Sequence, residues 1–168
     1  MFLLACSTSY ADVRFLCLLM GLEAYHRATQ GGTILSGEDF EYWQAKLITG
    51  LPPDMPPRLR QKLMSLYKYA NECSLRTRLK VLLRKTLKLS KLEYTQENCN
   101  RFIDFVVENR NRLTHGTKAV EVDLVRPNQD LTTILLRLLL MHIGCGEDSI
   151  ASAARRLPWS QLAGGHAE

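Results

Sequence analysis

No apolar run in the 168 residues approaches the 18 or so that a membrane-spanning helix requires. No tract is collagen-like, Gln-rich or Pro/Ser-rich, which excludes a fibre and wholesale disorder. Paired cysteines are also missing. The five present (Cys6, Cys17, Cys73, Cys99 and Cys145) are odd in number, widely spaced and without a C-x-x-C, so free thiols in a reducing, cytoplasmic setting are expected. His142 and Cys145 lie three apart, but no second cluster completes a set of about four ligands, and neither a metal nor another cofactor is expected. No glycine-rich phosphate loop is visible, which argues against a nucleotide-binding role. The opening M-F-L-L-A-C has only five residues before its cysteine and no Lys or Arg among them. It reads as an apolar lead-in to a first helix rather than a secretory signal.

What is present is enough apolar material for one core. Hydrophobic residues make up 46% of the chain, and a chain of this length can bury about 70% of its unfolded surface. A single helical domain over residues 1–157 with a flexible tail over 158–168 is the expectation, in a soluble protein.

Helical periodicity runs through the chain. Residues 12–28 place Phe15, Leu18, Leu19 and Leu22 beside Val13, Leu16, Cys17 and Met20, a stripe broad enough for burial on more than one side, closed by Gly31-Gly32. Ser36 followed by Asp39 signals an N-cap for a helix through Phe40, Trp43, Leu47 and Ile48, ending at Gly50. Four of the six prolines (Pro52, Pro53, Pro56, Pro57) form a rigid connector, with Pro57 suited to start the next helix. Helices over about 58–69 and 75–89 follow, joined near Asn71, and another begins after Thr95. Residues 117–127 alternate and read as an extended strip or a loop of two-residue period, whereas 131–143 are almost continuously apolar, as in a central helix. The expected architecture is an all-α bundle of five to seven helices.

Charge is unevenly spread. The net of +5 divides into −3 over residues 1–57, +10 over 58–118 and −2 over 119–168. Such asymmetry suggests a positive surface facing a polyanion, most often nucleic acid. Residues 74–91 hold no acid at all but carry Arg76, Arg78, Lys80, Arg84, Lys85, Lys88 and Lys91, with Leu75, Leu79, Leu82, Leu83 and Leu87 opposite. A row of this kind contacts phosphates without reading bases; a plain solvated face is the alternative.

Residues 109–116, N-R-N-R-L-T-H-G, join a guanidinium, an amide and an imidazole within six positions. On a helix Asn111 neighbours His115 and Arg110 neighbours Thr114. An amide one turn from an imidazole can fix its tautomer. Arg110 lies five positions from His115, about 140° around the axis, so the two converge only if the helix loosens near Gly116. Imidazole moves protons near neutral pH and guanidinium matches phosphate oxygens. Together they suit phosphoryl chemistry on RNA, whose 2′-hydroxyl supplies the nucleophile. The blander reading is a polar helix end with Glu108 and Arg112 as an i,i+4 ion pair.

Residues 102–116, F-I-D-F-V-V-E-N-R-N-R-L-T-H-G, resemble the signature helix of the HEPN superfamily, whose motif is R followed by four to six residues and H, often with Asn after the Arg. R-N-x-L-T-H-G is similar to the ApeA-like branch, found in prokaryotic anti-phage effectors, and L-E-A-Y-H-R at residues 22–27 is similar to the end of that branch's first helix. The likeness spans roughly residues 12–145. It implies a helical homodimer in which two motifs face one cleft, acting as a metal-independent endoribonuclease on RNA, with tRNA among the candidate substrates. Arg110 and His115 would be the catalytic pair, and Asn111 would orient His115. The charge pattern, apart from the resemblance, offers Arg76, Arg78, Lys80, Arg84, Lys85, Lys88 and Arg112 as the residues that hold the RNA. ApeA-like effectors carry a larger N-terminal region, so a missing sensor domain is an expectation too. HEPN domains with degenerate motifs serve as RNA-binding or interaction modules, which is the rival reading.

Other residues read more simply. His26, beside Glu23 and Tyr25, is expected to be a helix-end cation near the dipole, with a place in the cleft as the alternative; His142 is expected to be a satisfied core residue, and Trp43 and Trp159 core or docking residues. His166 lies in the tail and carries no role.

Overall fold

The computed structural model describes residues 10–88, 96–116 and 122–155, apart from the side chains at 87, 88, 154 and 155. The expectations for Cys6, for Lys91, for Trp159 and for the tail with His166 lie outside the described residues. Seven helices are present: α1 (Ala11–Gln30), α2 (Gly37–Thr49), α3 (Pro57–Tyr67), α4 (Leu75–Lys88), α5 (Gln96–His115), α6 (Val125–His142) and α7 (Glu147–Arg155). Among the described residues there is no strand, only an isolated antiparallel bridge between Thr33 and Glu72. The architecture is all-α. No helix among the described residues is long and apolar enough to cross a membrane.

The chain forms two compact units. One combines Met1–His26 with Leu75–Glu168, and the other is Arg27–Ser74. The first holds a continuous core built from α1 (Phe15, Leu18, Leu19, Leu22), α4 (Leu79, Leu82, Leu83), α5 (Ile103, Val106) and α6 (Leu131, Leu135, Leu138). Leucines at three- and four-residue spacing give each helix one apolar stripe, and these stripes meet. Burying a Leu or Phe side chain contributes about 1.5–3 kcal/mol.

Polar bonds set the register. Asn128 Nδ2 donates to the Ala11 carbonyl at 3.0 Å, Arg14 Nη2 reaches Thr132 Oγ1 at 3.5 Å, and the Tyr25 and His142 rings meet edge to face at 5.9 Å. Three rungs ascending together make α1 and α6 parallel. Gly21 lies along this pair, where an added Cβ would stand 3.0 Å from Leu135 Cδ2. An ion pair between Arg76 and Asp104 links α4 to α5.

Of the segment 117–127, residues 117–121 lie outside the described residues, 122–124 form no regular element, and α6 already begins at Val125 and takes Pro127 into its first turn. The amide that proline lacks has no intrahelical partner at that position, so the ring is tolerated there.

The Arg27–Ser74 unit is organised by caps and turns. Ser36 Oγ accepts from Asp39 N at 3.1 Å and donates to Asp39 Oδ2 at 2.7 Å, fixing the start of α2. Pro57 occupies the first turn of α3. Asn71 is buried and clamps the segment before α2. Its Oδ1 accepts from the amides of Ile34 and Leu35 at 3.1 and 2.8 Å, and its Nδ2 donates to the Leu35 carbonyl at 3.1 Å. Neither α2 nor α3 contains a buried residue.

Candidate RNA-processing site

The R-N-x-x-x-H motif occupies the last turn and a half of α5. The helix reaches this end intact. Thr114 Oγ1 donates to the carbonyls of Arg110 (2.9 Å) and Asn111 (3.2 Å), and the Gly116 amide donates to the Arg112 carbonyl at 3.1 Å. Gly116 then turns left-handed at φ 65°, a conformation that glycine adopts without the Cβ clash other residues suffer, and the helix stops. Immediately before the motif, buried Asn109 donates from Nδ2 to the Phe105 carbonyl at 2.8 Å and seats the motif on the core.

Arg110 is half-buried, and Asn111 and His115 are exposed. Arg110 Nη1 donates to Asn111 Oδ1 at 3.3 Å. The Asn111 amide oxygen is thus engaged by the neighbouring guanidinium, whereas the His115 ring has no hydrogen bond among the described residues. That differs from the amide–imidazole pairing the i,i+4 spacing suggests. The reason is local: the adjacent guanidinium is a charged donor and takes the amide oxygen. Because the helix does not loosen, Arg110 and His115 stay about 140° apart around the axis and about 7.5 Å apart along it. Both heads reach solvent, but from different sides of one helix. Glu108 is exposed and makes no ion pair among the described residues, so the Glu108–Arg112 pair is not formed.

Along α4 the basic row divides. Arg84 is exposed, Lys80 and Lys85 are half-buried, and Arg76 is exposed but engaged with Asp104. Arg112, on α5, is half-buried. Lys88 ends α4, with its side chain outside the described residues. Arg78 departs from the solvent row altogether, being 2% exposed. It occupies an apolar-stripe position of α4, between Leu75 and Leu82 and beside Leu79, and the helix carries it inward.

His26 is corrected in the same sense. It is not a helix-end cation: α1 continues one turn further, to Gln30, and His26 is 3% exposed. Burial, and then the charges of Arg78 and Lys85, push its pKa below the ordinary imidazole value, and Nδ1 has no hydrogen-bond partner among the described residues. The ring is held neutral. His142, expected in the core, is exposed with one edge on Tyr25, and Trp43 is 53% exposed. Sequence reasoning missed Asn109 as the motif's anchor. The signal was available, since Asn109 falls on the stripe of Cys99, Ile103 and Val106, as His26 falls on that of Phe15, Leu18, Leu19 and Leu22.

Among the described residues no three His, Cys, Asp or Glu side chains gather as a metal-binding group. Neither a curated protein nor a solved structure matches the chain. The family described as Apea-like HEPN matches over residues 16–149, a span running from α1 into α7 and including the whole motif. With helices, motif and match in agreement, the chain belongs to the Apea-like HEPN family.

Proposed function

We propose that the protein is an endoribonuclease of HEPN type that cuts RNA through attack by the 2′-hydroxyl, working in the cytoplasm in anti-phage or stress defence. The observation that carries this reading is the placement of half-buried Arg110 and exposed His115 at the end of a core-anchored helix in a chain of this family. A neutral imidazole takes the 2′-hydroxyl proton, the oxygen attacks phosphorus, and the bond to the 5′-oxygen breaks. A protonated imidazole gives the leaving oxygen its proton, and the guanidinium stabilises the charge that builds on the phosphorane. One His115 cannot easily stand on both sides of phosphorus. The 140° separation within a helix likewise favours a site assembled from two copies, Arg110 of one helix approaching His115 of the other. Lys80, Arg84, Lys85 and Arg112 supply phosphate contacts that weaken with salt. The products carry a 2′,3′-cyclic phosphate or 3′-phosphate and a 5′-hydroxyl.

The test is cleavage of RNA, tRNA included, by the purified protein in EDTA. Cutting is expected to persist, and His115→Ala to lower it by about 10²–10⁴-fold. Abolition by EDTA, or undiminished cutting by His115→Ala, refutes the reading. One observation favours a non-catalytic RNA-binding or interaction module instead: Arg110 and Asn111 are hydrogen-bonded to each other rather than to His115. That alternative predicts that Arg110→Ala and His115→Ala alter stability or assembly with no cleavage to lose.

A further inference from the structure

Helices α3 and α4 are both basic and rich in leucine, yet they place their leucines differently. On α4, Leu79, Leu82 and Leu83 are buried in the core. On α3 no residue is buried. Arg60, Leu63 and Tyr67 are half-buried, which marks the side that α3 turns towards its own unit. Leu59, Lys62 and Leu66 recur at three- and four-residue spacing on another side, within about 60° of one another around the axis. Leu59 is 46% exposed and Leu66 is 55% exposed. Exposed Arg58 flanks Lys62 on that side. Tyr69, also exposed, follows one turn after Leu66, whose carbonyl accepts from its amide at 3.1 Å. Met64 lies about 160° from Leu66 and is not part of this face. No acid stands between Asp54 and Glu72, whereas Arg58, Arg60, Lys62 and Lys68 do. None of these four cations makes an ion pair among the described residues.

We propose that this face of α3 seats the protein on an anionic lipid surface, with Leu59 and Leu66 entering the boundary between headgroups and acyl chains while Arg58 and Lys62 lie among the headgroup phosphates. The partner has to offer negative charge and apolar depth side by side. A bilayer containing anionic lipid does both. Each cation close to it raises affinity about fivefold, apolar side chains of a surface helix enter the boundary, and Tyr69 suits the level at which rings with a polar tip collect. An RNA backbone offers the charge alone and leaves Leu59 and Leu66 in water. A helix that meets only phosphate can bury its leucines, as α4 does. The contact is peripheral, since no helix among the described residues is long and apolar enough to cross a membrane. It goes beyond RNA cleavage and stands whether or not the motif cuts RNA.

Co-sedimentation of the full chain with vesicles tests it. Vesicles of phosphatidylcholine mixed with phosphatidylglycerol are expected to carry the protein down, and vesicles of phosphatidylcholine alone are not. Binding should weaken as salt rises. Arg58→Glu with Lys62→Glu is expected to weaken it about 30-fold or more, two cations at about fivefold each. Leu59→Gln with Leu66→Gln should weaken it about tenfold, and Met64→Gln, on the far side of the same helix, should leave it unchanged. All these positions are solvent-exposed, and unfolding midpoints that match the wild type show that lost binding is not lost fold. A wild type that stays in the supernatant, a leucine variant that binds like the wild type, or an equal loss from Met64→Gln each overturn the inference. A labelled single-stranded RNA in EDTA separates the rival occupant. If the Arg58→Glu, Lys62→Glu chain loses RNA while the wild type ignores vesicles, the face belongs to nucleic acid and the inference falls. His115→Ala is expected to bind vesicles as the wild type does, which keeps this result apart from the fate of the cleavage reading.

Discussion

The two compact units handle apolar residues in opposite ways. In the α1–α4–α5–α6 unit the leucines at helical spacing turn inward and the polar residues caught on the same stripes go with them. In the Arg27–Ser74 unit, caps, prolines and one asparagine fix the backbone while large side chains stay in solvent. Stability in the first comes from packing and in the second from local hydrogen bonds. The contrast teaches that helix content alone does not measure how firmly a segment is held.

Substitutions can sharpen or break that contrast. The largest effect is expected from Leu18→Ala, which removes a fully buried side chain from the core. Urea unfolding should show a loss of about 2–5 kcal/mol. Next comes Asn71→Ala, which leaves the Ile34 and Leu35 amides without their side-chain acceptor. A loss of about 1–3 kcal/mol is expected, with faster hydrogen exchange confined to residues near 34 and 71; a loss spread evenly through α5 and α6 would break the comparison.

A third effect depends on pH. His26 has a folded pKa below its unfolded value of about 6.5 because burial, Arg78 and Lys85 disfavour its charged form. Its contribution is complete above that value and declines as pH falls below it, since the unfolded chain then binds the proton more readily. Unfolding midpoints at pH 7.5 and 5.5 should separate in the wild type and draw together in His26→Gln. The smallest effect is expected from Leu59→Ala in a dilute, unassociated sample: within about 0.5 kcal/mol, as for an ordinary surface position.

Much of this was legible in the sequence. Ser36 and Asp39 announced the start of α2, Pro57 the start of α3, and the R-N-R-L-T-H-G letters the family. Less legible were the polar residues that sit on apolar stripes. His26, Arg78 and Asn109 each stand three or four positions from buried Leu, Ile or Val, yet their chemistry suggests surface. Which tendency wins depends on neighbouring helices, and a linear pattern does not contain them. The meeting of Arg110 with Asn111 was hidden for a different reason: side-chain torsions rather than spacing decide between two acceptable partners.

Gly21 shows how little separates α1 from α6. A hydrogen stands where any other residue would place carbon, 3.0 Å from Leu135 Cδ2. Spacing between these helices is therefore set by what position 21 omits, and freedom to vary is shared with position 135. A methyl gained at one calls for trimming at the other, so Gly21→Ala should be tolerated best alongside Leu135→Val, the two sites behaving as a single steric unit.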